Sequence, residues 1–186
     1  MQNYEKYLFF YPLHRIFAKN IVKNMKEIII TDQDRAFMRE AIRLANESVK
    51  KGGGPFGAVI VKDGQIVAGG SNRVTIDVDP TAHAEVNTIR EACRRLQTFD
   101  LSGCVIYTSC EPCPMCLGAI YWAHIDRIYY GNTRKDARDI NFADDFIYNE
   151  LDRPLEERTV PIVPLLRDEA LESFRLWTAN TDKTEY

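Results

Sequence analysis

The stretch at residues 108–119, TSCEPCPMCLGA, constrains this chain more than any other. It sets Cys113 and Cys116 at C-x-x-C spacing, with Pro112 and Pro114 bracketing the first cysteine where a strand gives way to a helix. That is metal-ligand spacing. Earlier, TAHAE at residues 81–85 supplies His83 and, two residues on, Glu85 at the start of another helix. Unpaired amide N–H groups and the positive end of each helix dipole favour thiolate and ligand charge there, which puts a metal above two helix ends. Residues two apart diverge within a helix, but from the first turn both reach a centre lying beyond the N-terminus. Zinc suits a His and Cys set best among the common metals.

Two readings of such a site stay open. A catalytic zinc keeps three protein ligands and an open position, whereas a structural zinc closes its shell with four. Cys110 lies three residues before Cys113, so Cys110, Cys113, Cys116 and His83 can be written as a closed site in an interaction module. Against closure, Glu85 beside the histidine then has no purpose, whereas an open zinc needs such a proton carrier.

The 186 residues imply one domain able to bury its own core, and a net charge of −3 with no block of lysines or arginines disfavours a polyanionic partner such as nucleic acid. Five cysteines, an odd number with three close together, and no secretory signal point to a reducing, cytoplasmic setting. No stretch approaches the roughly 18 apolar residues of a membrane span. Residues 1–24 are aromatic and basic without a sustained period, so the expectation is an extension ahead of a domain at 25–186, with Met25 as an alternative start.

Along the chain, a capped amphipathic helix is predicted from residue 31 or 32 to about 51, ended by Gly52, Gly53 and Gly54. Ala58 to Val61 are apolar without alternation, the pattern of a strand covered on both faces, and Asp63-Gly64 is a two-residue turn that makes the first hairpin antiparallel. Residues 69–80 read as a polar loop containing Asn72. A helix near Ala82, a strand at 105–108, a helix at 114–123 and a strand at 127–130 then alternate, which implies a parallel sheet. Residues 132–143 show no clear period, residues 146–157 read as a broken helix, and Pro161 and Pro164 argue against a central strand. A last helix is predicted with Asp168 as its cap and Leu171, Phe174 and Trp177 turned inward.

PTAHAE and SCEPCPMCLGAIYWA, together with Pro55-Phe56-Gly57-Ala58-Val59, resemble the bacterial guanine deaminases of the cytidine deaminase superfamily over essentially all of residues 32–186. H-x-E followed by P-C-x-x-C is the signature of zinc-dependent base deaminases. The resemblance implies a three-layer α/β/α, cytidine deaminase-like fold with a five-stranded mixed sheet, zinc on His83, Cys113 and Cys116, and Glu85 as proton shuttle. It places Asn72, Phe56, Ala84, Asp144 and Tyr186 against a purine base. Asp145, next to Asp144, leaves the identity of the acid open. A homodimer is also implied, with a C-terminal segment of about 160–186 exchanged so that Tyr186 closes the partner's pocket. The same motifs occur in tRNA adenosine deaminases, and the zinc chemistry alone leaves cytosine or cytidine open.

Overall fold

The apolar run in Gly57–Lys62 (β1) holds the middle of the sheet because both of its faces are needed. Ala58 and Ile60 turn to one side and Val59 and Val61 to the other, the alternation a strand imposes on successive side chains. The computed structural model describes residues 29–185. The chain divides into two units, residues 1–32 and 33–186. The expectation for residues 1–24 lies outside the described residues, as does Tyr186.

Asp32–Lys50 (α1) lays Phe37, Met38, Ala41 and Leu44 on the Val59, Val61 and Tyr107 face. Gln65–Ser71 (β2) returns antiparallel to β1 through Asp63 and Gly64, both at positive φ as a tight two-residue turn demands. The short helix Val74–Asp77 (α2) follows, then Ala84–Leu96 (α3), whose Ala84, Ile89, Ala92, Cys93 and Leu96 cover the Ala58 and Ile60 face. Cys104–Cys110 (β3) pairs antiparallel with β1, and Pro114–Trp122 (α4) places Ile120 in the same core as α3. Arg127–Asn132 (β4) runs parallel to β3, giving the order β2-β1-β3-β4. Ile60 and Ile106 are fully buried at the centre, where truncation of either to alanine costs about 2–5 kcal/mol.

The three layers and the antiparallel first hairpin agree with the sequence reading. The sheet is mixed, as expected, but does not hold five strands: among the described residues there are four. Pro161 and Pro164 lie in an irregular segment, where missing N–H donors would interrupt a ladder. Two further corrections concern a segment read as loop and one read as without a clear period. β2 continues to Ser71, and residues 132–143 contain Arg134–Asp139 (α5), started by a capping box between Thr133 and Asp136.

Asp145–Asp152 (α6) and a 3-10 turn at Leu155–Glu157 are the broken helix, interrupted at Pro154. Arg167–Ala179 (α7) ends the described fold; its N-cap is Leu166, so Asp168 sits in the first turn rather than at the cap. Nor does its apolar side face inward: no residue of α7 is buried, Phe174 is 70% exposed and Trp177 43%.

Candidate active site

β1 begins, and β2 and β3 end, at one edge of the sheet, since Gly57 pairs with Ser71 and Ala58 with Thr108. The chain therefore delivers Phe56, Asn72, Cys110 and the loop to Cys113 to a common region. His83 and Cys113 are the N-cap residues of α3 and α4, in extended conformation, and neither side chain caps its own helix. Imidazole and thiol are thus left for other partners. Pro114 at the first position of α4 has no N–H to satisfy, and Cys116 follows within the first turn.

His83 Nδ1 lies 3.6 Å from Cys113 Sγ and 3.4 Å from Cys116 Sγ, and the three donor atoms fall within 4.8 Å of one another. Tetrahedral zinc with its usual bond lengths separates a nitrogen and a sulfur ligand by about 3.6 Å, so the set fits that metal without rearrangement. Cys113 is pulled well below the ordinary thiol range by hydrogen bonding from Cys116 and then from His83, while Cys116 is driven up by sharing that proton. His83 is raised in turn, first by its bond to Cys113.

Cys110 takes a different part. Its thiol faces the Thr133 carbonyl oxygen at 3.7 Å, outside the three-ligand group, and burial pushes it up to about 11. The closed Cys3His arrangement is therefore not the one formed.

Glu85 is buried beside the sulfurs. Its Oε1 accepts from the Thr108 hydroxyl at 2.7 Å, and its Oε2 accepts from Cys116 Sγ at 3.3 Å. Burial raises its pKa above the ordinary carboxylate value, and the Thr108 bond opposes the rise. A carboxyl so placed can hold or release a proton next to the His83, Cys113 and Cys116 cluster.

These groups open onto a cavity of about 460 Å³. Phe56 and Phe142 form an apolar wall, their rings edge to face at 4.9 Å. Asn72 and Asp144 line it as well. Asp144 Oδ1 is buried with no hydrogen-bond partner among the described residues, and Asp144 is raised by burial and then by the charge of Cys113. Asp145 instead pairs with Arg138 at 2.9 Å and does not line the cavity. Ala84 is fully buried in the core, and its side chain is not part of the cavity wall.

Several contributors escaped the sequence reading. Asn87 Nδ2 donates to the carbonyls of Ser71 at 3.0 Å and Ala82 at 3.1 Å, holding the residues just before Asn72 and His83 in register. Tyr148 donates to the Pro112 carbonyl at 3.0 Å, tying α6 to the turn that carries Cys113. Arg134 pairs with Glu111 at 2.9 Å and lies 4.7 Å over the Tyr148 ring, bracing the same turn. Only the position of Asn87 four residues after His83, on one helix face, was a signal visible in advance.

Residues 31–132 match the sequence model of the cytidine and deoxycytidylate deaminase zinc-binding region. Guanine deaminase of Bacillus subtilis is 53% identical over 151 residues, which are 81% of this chain and 97% of the relative. The X-ray structure of guanine deaminase from that organism superposes with a TM-score of 0.80 at 52% identity, covering 82% of this chain and 98% of that one. A tRNA-specific adenosine deaminase of Aquifex aeolicus is 40% identical over 118 residues, 63% of this chain and 76% of the relative. The chain belongs to the cytidine and deoxycytidylate deaminase family, in the group that includes the guanine deaminases.

Proposed function

We propose that this protein hydrolyses guanine to xanthine and ammonia, with zinc held by His83, Cys113 and Cys116. The observation that carries the choice of base is the buried, unpartnered Asp144 Oδ1 beside the metal ligands. Such an acceptor calls for an N–H on the ligand, because a buried polar atom left unpaired costs about 1–3 kcal/mol. In guanine the reacting carbon C2 is flanked by N1–H. The reacting carbons of adenine and cytosine are flanked instead by an acceptor ring nitrogen. The chain's 53% identity to a guanine deaminase, over nearly all of that relative, supports the same choice.

When bound, zinc lowers the pKa of a water to about 7, so that a nucleophile is present at neutral pH. Glu85 takes the proton of the attacking water, passes it to the ring nitrogen next to C2, and delivers a proton to the departing amine. Thr108 keeps one Glu85 oxygen fixed while the other does this work. Phe56 and Phe142 present their apolar wall to the ring and exclude water. Asn72 contributes a hydrogen bond to the base.

We infer further that the protein acts as a homodimer exchanging about residues 160–186, with Tyr186 over the partner's cavity. Phe174 on α7, 70% exposed, supports this, as do Val163 and Leu165 ahead of the helix, 78% and 82% exposed. A prolyl arm with Pro161 and Pro164 is stiff enough to hold the segment away from its own body. All five cysteines are free, as a reducing cytoplasm would keep them.

Ammonia release from guanine, guanosine, cytosine and adenosine, with xanthine followed by absorbance, tests the reading. Turnover of guanine that vanishes in Glu85→Gln is the expected result. Inosine formation in a tRNA anticodon stem-loop without guanine turnover would overturn it.

A further inference from the structure

Asn72 is tied at all but one of its polar atoms. Its backbone N–H donates to the Phe56 carbonyl at 2.9 Å, and its carbonyl accepts from the buried Ser48 hydroxyl at 2.9 Å. Its side-chain Oδ1 accepts from two backbone N–H groups, Gly54 at 3.3 Å and Val74 at 3.2 Å. Among the described residues no acceptor stands opposite Nδ2. Rotating the amide by half a turn would set its NH2 group against two N–H donors and lose both bonds, so its orientation is fixed.

Gly53 and Gly54 do more than end α1. A Cβ on Gly54 would lie 3.0 Å from both Cγ and Oδ1 of Asn72, pressing directly on the amide. A Cβ on Gly53 would lie 2.5 Å from the Asn72 carbonyl oxygen and 2.5 Å from Ser48 Oγ, across the bond those two atoms make. The absence of side chains lets this turn come close enough for the Gly54 N–H to reach Oδ1.

We propose that Ser48 and Gly54 are positioning residues that turn Asn72 into a donor of fixed direction, so that the base must present an acceptor to it. This rests on the deaminase reading above. The Asn72 amide does not also accept from the base, because its oxygen is already spent on two backbone amides. With Asp144 as acceptor, the cavity reads one acceptor and one donor on its ligand, at different places on its wall.

The test uses the zinc-loaded enzyme. Asn72→Asp keeps an oxygen for both backbone amides but presents no donor, so the KM for guanine should rise on the order of tenfold or more, with melting temperature retained. Ser48→Ala and Gly54→Ala should raise KM while kcat changes less. Combined with Asn72→Ala, each should add nothing further, a non-additivity that an independent role in folding would not produce. If Gly54→Ala does not fold, the Ser48→Ala cycle decides. A KM for Asn72→Asp within about twofold of wild type, or additive costs in the cycles, would overturn the proposal. If the wild type ignores guanine but deaminates another base, the choice of guanine has failed. The same variants measured on that other base then decide the cradle, since the direction of the Asn72 donor does not depend on which base is bound.

Discussion

The Thr108 hydroxyl and Glu85 Oε1 are 2.7 Å apart, a bond between β3 and α3 in which both residues are buried. It favours the ionised carboxylate against a burial that opposes it. Thr108→Val should therefore raise the pKa of Glu85 further and move the acidic limb of the kcat/KM profile to higher pH. An unmoved limb would mean that Thr108 does not tune Glu85.

Glu85→Gln preserves shape but cannot carry a proton. Turnover should fall by about 100-fold to 10,000-fold, with zinc content unchanged. A variant retaining a large fraction of the wild-type rate would remove Glu85 from the mechanism.

In metal-free protein the folded pKa of Glu85 lies above its unfolded value, because burial raises it. Its contribution to stability is then fully present below the ordinary glutamate range and is lost as pH rises through the folded value. Thermal melts of the chelated protein should show wild type losing stability over that window relative to Glu85→Gln. Parallel curves for the two proteins would refute the assignment.

Cys113→Ala and Cys116→Ala should lose zinc, whereas Cys110→Ala should retain it, since the Cys110 thiol faces the Thr133 carbonyl. Metal analysis of the purified variants decides. Loss of zinc in Cys110→Ala would restore the closed site.

Asp144→Asn should weaken guanine binding by about tenfold, the difference between a charged and a neutral acceptor. Asp145→Asn should do little, because Asp145 is paired with Arg138. Equal losses in the two variants would contradict the distinction drawn from the cavity wall.

Deleting residues 181–186 should lower kcat/KM by about 100-fold while zinc and dimer persist, the scale of loss when a bound substrate is no longer held in place. Mixed dimers of Glu85→Gln and Tyr186→Ala subunits should regain activity through their one intact composite site. Normal turnover by the truncated protein would rule out the exchanged segment.

The cluster of His83, Cys113 and Cys116 and the helix α1 were legible in the sequence because their determinants are local: a C-x-x-C turn, an H-x-E start, an amphipathic period. The sheet was less so. Alternating strand and helix gave the parallel β3–β4 pair and the Asp63-Gly64 turn the antiparallel β1–β2 pair, but the antiparallel pairing of β1 with β3 is set by long-range packing of its two apolar faces. The helix α5 was missed although Thr133 and Asp136 carry its start signal, since six residues are too few for a period to emerge. Thr108 and Tyr148 act on residues distant in sequence, and no spacing rule reports such pairs. The inward-facing reading of α7 failed because an amphipathic pattern says that a face is covered, not by what.

The Asp63-Gly64 turn sits at the far end of β1 from Phe56, separated from it by the strand's five steps from Gly57 to Lys62, roughly 17 Å. Phe56, Asn72 and the loop to Cys113 leave the opposite edge of the sheet. That turn is accordingly the place to open the chain for engineering. A fluorophore, an affinity handle or new termini inserted there would report on the enzyme without touching its chemistry.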